Sequence, residues 1–296
     1  GVLVILGLPL LGLIPALNDG LSANNWLLLW ADSQTLPALK LTLFSAGIST
    51  IWALWLACSL VFLFYPSVTW QRLQRQLPIF LALPHAAFAI GLVLLLAPSG
   101  WLVRLIAPFF AWTAPPHWIT TQDPYALSLT LALVLKETWF LLWILTSLLN
   151  QEWLLKQSLV AQSLGYGRWQ IGWQILFPQL LKRLAWPLLA VFAYGLSVVD
   201  MALIIGPSTP STLAVLAWQW FTDPDPVQQL KAQSLALLLI GLLLMGAALG
   251  YLTYLLLSKR LATPTGHRHK LRTYPVLKLA LSSLLSLPIW LALFLL

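Results

Sequence analysis

The stretch Leu159-Val160-Ala161-Gln162-Ser163-Leu164-Gly165-Tyr166-Gly167-Arg168-Trp169, followed by Ile175-Leu176-Phe177-Pro178, is a polar, basic interruption between two strongly apolar segments. Around it the composition leaves little choice of solvent. The 296 residues are 60% hydrophobic and 8% charged, where soluble domains carry about 25% charged residues. Only a bilayer accommodates such a chain, and its apolar runs do not alternate with polar residues as barrel strands would. The fold class is therefore all-α, a polytopic transmembrane helical bundle.

A span needs about 20 apolar residues at 1.5 Å rise each. Seven stretches qualify: 1–17, 39–65, 77–97, 126–149, 184–206, 234–257 and 276–296. The intervening loops separate by charge. Loop 66–76 carries Arg72 and Arg75; loop 150–183 carries Lys156, Arg168, Lys182 and Arg183 against Glu152. Loop 258–273 carries Lys259, Arg260, Arg268, Lys270 and Arg272. The alternate loops hold Asp19, Asp32, Asp123, Asp223 and Asp225, with Arg104 and Lys231 their basic residues. Cytoplasmic loops concentrate Lys and Arg, so the basic loops face the cytoplasm and the first span runs outward. This placement explains the net charge of +8 as orientation at a lipid surface, not as a nucleic-acid footprint. Tryptophans such as Trp26, Trp30, Trp112, Trp118, Trp218 and Trp220 fall where the interfaces belong. The outer loops, broken by Pro115-Pro116, Asp123-Pro124 and Asp223-Pro224-Asp225-Pro226, are too short to fold as recognition domains.

Chemistry-bearing groups are sparse. The single cysteine, Cys58, lies in an apolar run and allows no disulfide within the chain. His267 and His269 sit among basic residues suited to anionic lipid, with too few ligands for a metal site. His85 beside Pro84 reads as a helix-end polar residue and His117 as an outer-loop one. No nucleophile–base pair stands out, and the sequence has no G-x-x-x-x-G-K-[ST] phosphate cradle. A transport subunit fits better than an enzyme. Lys136, Glu137 and Asp200 lie inside apolar spans, where each charge near the bilayer centre costs about 2.5–3.5 kcal/mol. Lys136 and Glu137, adjacent on one helix, point about 100° apart, so Lys136 is expected to pair with Asp200 from another span. These three residues are the candidates for a translocation path.

The loop at 150–183 is about 34 residues long, more than a connection requires. Leu159 to Leu164 reads as a short helix, Gly165 and Gly167 permit a sharp turn, and Trp169 to Leu176 is a second amphipathic stretch. Pro178 is expected to mark the bend back to the membrane. The loop resembles the cytoplasmic motif EAA-x3-G-x9-I-x-L-P of binding-protein-dependent ABC importer permeases. Ala161, Gly165, Ile175 and Pro178 match it, Val160 and Phe177 replace an alanine and a leucine, and Leu159 stands where the family has glutamate. Ser163-Leu164-Gly165 and Arg168-Trp169 are similar to that family's wording, with Tyr166 and Gly167 between them. The ending Asp200 to Gly206 and the Leu83-Pro84-His85 to Gly91 stretch resemble the molybdate, sulfate, iron and thiamine permease group.

The resemblance implies a type I importer permease in a bacterial inner membrane, with about six spans per half. It implies that the 159–178 loop is a coupling helix docking into cytoplasmic ABC ATPase subunits. It also implies ATP and magnesium on that partner, none on this chain, and an external solute-binding protein that delivers the solute. The expected organisation is a permease half at 1–257, a basic cytoplasmic linker at 258–275, and at 276–296 the first span of a second half in a fused double permease. The competing reading is an ion-coupled secondary transporter using Lys136, Glu137 and Asp200, which leaves the coupling-like loop without a purpose. Glu137 and Asp200 incline the solute towards a small cation or a vitamin such as thiamine, or towards iron.

Overall fold

The computed structural model describes residues 20–261. The expected spans 1–17 and 276–296, and the linker beyond Leu261, lie outside the described residues. In chain order the helices are α1 (Ala23–Ala31), α2 (Thr35–Phe64), α3 (Val68–Ala82), α4 (His85–Leu96), α5 (Trp101–Ile106), α6 (Leu127–Leu149), α7 (Glu152–Ser163), α8 (Arg168–Ile171), α9 (Phe177–Ser197), α10 (Asp200–Ile205), α11 (Leu213–Thr222) and α12 (Pro226–Leu261). Among the described residues five segments are long and apolar enough to cross a membrane: Thr35–Phe64, His85–Phe110, Leu127–Leu149, Arg168–Ser197 and Pro226–Leu256.

Helix α6 is the centre of the bundle. Leu129, Leu133, Trp139, Leu141, Leu142 and Leu145 are fully buried along it, packed against α2, α3 and α9. Helix α2 meets α9 through small residues: a Cβ on Gly195 would lie 3.1 Å from the Cβ of Ala46. Close approach of this kind drives association where lipid removes the hydrophobic force between helices.

Four expectations change. The span read from 77 does not start there. Helix α3 is amphipathic, burying Trp70, Leu73, Leu77 and Phe80 while Gln71, Arg72 and Arg75 stay exposed, and Pro84 separates it from α4. The span 184–206 is likewise interrupted between α9 and α10, at Val198-Val199. The segment after Gly206, read as an outer loop, contains the buried apolar helix α11, whose Leu213 N–H donates to Thr42 Oγ1 at 2.8 Å. At 10 residues it is too short to cross a bilayer, and its strongly apolar composition is satisfied by burial against α2 and α12. Helix α12 runs to Leu261, past the expected boundary at 257.

The two ends of the bundle sort as the charges require. At one end Lys231 Nζ lies 2.7 Å from Asp32 Oδ2 and 4.5 Å from the Trp220 ring, and Gln122 N–H donates to Ile205 O at 2.9 Å. At the other, Tyr65 Oη donates to Leu149 O at 3.2 Å, bringing together the roots of the basic loops 66–76 and 150–183. Asp123, in the acidic end's loop, starts α6. Its carboxylate accepts from the N–H of Leu127 at 2.7 Å and of Ser128 at 2.8 Å, with Ser128 Oγ at 2.5 Å. Burial alone would raise its pKa, but the bonds from Ser128, Leu127 and Tyr125 outweigh it and hold the group below its ordinary 3.8. A depressed native pKa stabilises the fold above pH 3.8 and loses that stabilisation as pH falls through the native value. Asp123→Ala is expected to cost about 0.5–2 kcal/mol near neutral pH and to flatten the acid limb below pH 3.8, as read by thermal melts across pH.

Candidate functional site

The 150–183 loop folds as helix, glycine turn, helix. Helix α7 is longer than the expected 159–164 because Glu152 begins a continuous turn pattern, with Leu154, Ser158 and Ala161 buried along one face. It ends in a glycine-closed cap. Gly165 N–H donates to Gln162 O at 2.9 Å and Tyr166 N–H to Ala161 O at 3.1 Å, the two bonds that close a helix through a left-handed residue. Gly165 has φ +88°, where a side chain is strained. Gly167, also expected to enable the turn, has an ordinary φ of −69° and simply precedes α8.

Beyond Gly167 the chain does not bend at Pro178 as expected. Helix α8 passes through a π turn, Gly172–Leu176, directly into α9. Pro178 has no N–H to give the carbonyl of residue 174. The helix widens there: Phe177 N–H reaches back to Gly172 O, and Gln179 Nε2 donates to Ile175 O at 2.7 Å. The missing donor is absorbed by one wide turn, so the loop's second arm is rigidly continuous with a transmembrane helix.

The arm is also tied sideways. Arg168 Nη1 donates to Leu63 O at 3.4 Å, a carbonyl left over at the end of α2. The Phe62 ring makes edge contacts with Trp169, Trp173 and Phe177 at centroid distances of 5.6, 5.5 and 6.4 Å. Gly172 abuts the same ring: a Cβ there would lie 2.2 Å from Phe62 Cγ. Gly172 was not singled out in the sequence, because nothing local distinguishes a glycine needed for close approach from one needed for a turn. With one face of the loop fixed, the opposite face stands free, and Leu159, Val160 and Leu164 are 49%, 59% and 52% exposed. Ala161 is buried beneath them, and Tyr166, Ile175 and Pro178 are half-buried.

The intramembrane charges are arranged differently from expectation. The Lys136–Asp200 pair does not form. Lys136 Nζ donates to Phe80 O at 2.8 Å and Leu83 O at 2.5 Å. Pro84 is the reason: it cannot supply the N–H that Phe80 O would receive in a continuing helix, and in lipid that carbonyl has no water to turn to. Lys136 caps the broken end of α3 from within the core, where it is 4% exposed.

Glu137 instead faces His85, with Oε1 3.4 Å from Nε2. The His85 ring leans on Tyr194 at 4.6 Å between centroids, and Tyr194 Oη donates to Asp200 Oδ1 at 3.4 Å. A chain of four polar side chains thus runs across the two helix breaks, where α10 packs on α4. Glu137 is buried and Asp200 exposed. His85 and Tyr194 were missed as members. A histidine after Leu-Pro and a tyrosine near a span end look ordinary until two distant helix breaks are superposed.

No protein-family model matches the chain. It is 44% identical over 247 residues to the inner membrane ABC transporter permease protein YnjC of Escherichia coli (strain K12), a match covering 82% of this chain and 46% of the relative. The chain therefore spans about half the length of the curated relative it matches. With the bundle of apolar spans and the glycine-capped loop already in place, the family reading follows. Over the matched residues, this chain belongs with the ABC transporter permeases of the inner membrane.

Proposed function

We propose that this chain forms one solute-conducting half of an ABC importer and docks through its 159–178 loop into a separate ATPase subunit, where ATP and magnesium act. Solute is delivered by an external binding protein. A second permease half, fused to this one or separate, completes the path. The relative's greater length leaves room for a fused half, with 276–296 as its first span. The observation that carries the reading is the loop's construction. Its buried side is joined to α2 through Phe62, Gly172 and Arg168, and its second arm continues into α9. A push on the loop is therefore delivered to a transmembrane helix as a rigid body, the motion that alternating access requires.

Leu159, Val160 and Leu164 make the docking face apolar where the family motif has a carboxylate, so the partner's groove is apolar at that point. Glu137 and Asp200, with His85 and Tyr194, line the path, while Lys136 holds the α3–α4 break. An ion-coupled transporter is not favoured by the ABC permease relative.

Gly165→Trp tests the docking role. A side chain at Gly165 meets nothing within 4 Å, so it projects towards the partner, and the backbone strain is about 1–2 kcal/mol. The variant is expected to purify as a folded permease without its ATPase subunit. Retention of the ATPase at the wild-type level would refute docking through this loop.

A further inference from the structure

The end of the bundle that bears the acidic loops carries an apolar element that the chain leaves uncovered. We infer that a hollow beside it, built around Arg104, holds the phosphate of an anionic glycerophospholipid whose acyl chains lie over Leu105, Phe109 and Phe110.

The backbone makes the element. Helix α4 ends at Leu96, and the chain turns tightly, with Gly100 N–H donating to Ala97 O at 2.7 Å. A Cβ on Gly100 would lie 2.7 Å from Leu94 O and 2.8 Å from Ala97 O, so the turn closes only around a glycine. Helix α5 therefore leaves α4 at a bend, and a 3-10 turn, Ala107–Phe110, follows it. Over residues 101–110 only Val103 is buried. Leu105, Phe109 and Phe110 are 63%, 85% and 64% exposed. The segment sits where spans finish: Thr120 Oγ1 donates to Leu96 O and Gln122 N–H to Ile205 O, tying the chain beyond it to the ends of α4 and α10.

Neighbouring apolar side chains exposed in this way mark a face that something apolar covers. The adjoining rings suit the boundary of a bilayer. Phe110 stacks on Trp112 at 5.2 Å, and Trp112 meets Trp118 edge-on at 5.4 Å; indole rings collect at head-group depth.

Arg104 is an independent observation. Its Nε donates to Ser99 O at 2.8 Å, and its guanidinium carbon lies 5.9 Å from the Trp101 ring centre. These contacts orient the fork while its terminal N–H groups have no protein acceptor among the described residues. No carboxylate pairs with it there either: the ion pairs are His85–Glu137, Lys156–Glu152 and Lys231–Asp32. The fork borders a hollow of about 210 Å³ lined also by Ser99, Val103, Trp112 and Thr113, and it is the one charged group in that lining.

The ligand's chemistry follows. A planar fork with free N–H edges takes phosphate oxygens two at a time, and the Ser99 and Thr113 hydroxyls are further donors. Free phosphate would use the fork and leave the apolar face bare; a lipid satisfies both. The lining also selects among lipids. The ammonium of phosphatidylethanolamine finds no carboxylate in it, whereas the glycerol head of phosphatidylglycerol meets hydroxyls.

Native mass spectrometry of the full chain tests this, with titration by phosphatidylglycerol and by phosphatidylethanolamine of the same acyl chains. Arg104 is exposed, so Arg104→Gln should fold as wild type, which its melting temperature verifies. Basic groups elsewhere bind lipid equally in both proteins, so the difference between them reads this hollow. The expected result is that Arg104→Gln weakens one phosphatidylglycerol site about tenfold or more and leaves phosphatidylethanolamine binding unchanged. Phe109→Ser with Phe110→Ser should lower phosphatidylglycerol occupancy as well. Equal phosphatidylglycerol binding by wild type and Arg104→Gln would overturn the site, and equal dependence of both lipids on Arg104 would overturn the anionic head group. Displacement of the lipid by equimolar inorganic phosphate would overturn the lipid in favour of a soluble anion. Loss of a partner chain from the purified transporter on changing the two phenylalanines, with phosphatidylglycerol occupancy intact, would make the face a protein interface and overturn the lipid assignment.

Discussion

Lys136→Ala is expected to lower the stability of the purified protein by about 3–5 kcal/mol, the range for removing one partner from a buried charged arrangement. The loss has two sources. Phe80 O and Leu83 O lose the Lys136 donor, and Pro84 cannot supply the N–H that Phe80 O would receive in a continuing helix. Glu137, next in sequence and buried, loses a positive charge to which it is electrostatically coupled. Against this stands the relief of no longer burying an ammonium, which is partial because the carbonyls and the carboxylate remain. Lys136→Met separates hydrogen bonding from packing: it keeps most of the stem volume and supplies no donor. It is expected to lose nearly as much as alanine, and Lys136→Arg, which restores a donor, distinctly less. Melting in detergent followed by size exclusion checks all three. A methionine variant as stable as wild type would mean that Lys136 serves packing alone.

The second large effect belongs to Gly172→Leu, which should abolish stable folding of the α8–α9 arm. Its Cβ alone would fall 2.2 Å from Phe62 Cγ, and Phe62, 2% exposed, is hemmed in by Trp169, Trp173 and Phe177. Overpacking in yielding cores costs about 1–3 kcal/mol; here the obstructing atoms are the root of the ring, so the cost exceeds that range. The companion Phe62→Ala should restore part of the yield to the Gly172→Leu protein by opening the space the leucine needs. Expression and monodispersity of the two single variants and the double variant decide the matter. Equal failure of the double and the single would place the fault elsewhere than at this contact. The distinction from Gly165→Trp is useful: the surface change leaves a folded permease without its partner, the buried change leaves no folded arm to test.

Much of the architecture was legible because a bilayer imposes a simple rule on composition. Long apolar runs at 39–65, 126–149 and 234–257 became α2, α6 and α12 with ends shifted by several residues. Alternating loop charge placed the roots of loops 66–76 and 150–183 at one end, where Tyr65 meets Leu149. The breaks were harder. Leu83-Pro84 was visible as a motif, but hydropathy averaged across it merged the amphipathic end of α3 with α4. Helix α11 was hidden for the opposite reason, its prolines on either side reading as loop while its apolar core called for burial.

The 159–178 motif was legible in its glycine and misread in its proline. Gly165 announced a turn and closes one. Pro178 announced a bend and makes none, because a π turn and Gln179 meet the carbonyls it neglects. Whether a proline breaks a helix depends on what its neighbours can donate, which local sequence does not state.

Hydropathy and motif spacing are properties of order along the chain, and they were enough to assign the bilayer as solvent and to single out the 159–178 loop between spans. Which intramembrane charges meet was left to the packing of the helices. Lys136 and Asp200 are opposite in sign and looked like partners, yet Lys136 is claimed by the carbonyls at a proline break on α3, and Asp200 is joined to Glu137 only through Tyr194 and His85. In a medium without water, each buried polar group takes whatever partner the packing brings within reach, and that is settled by the crossing of helices far apart in sequence.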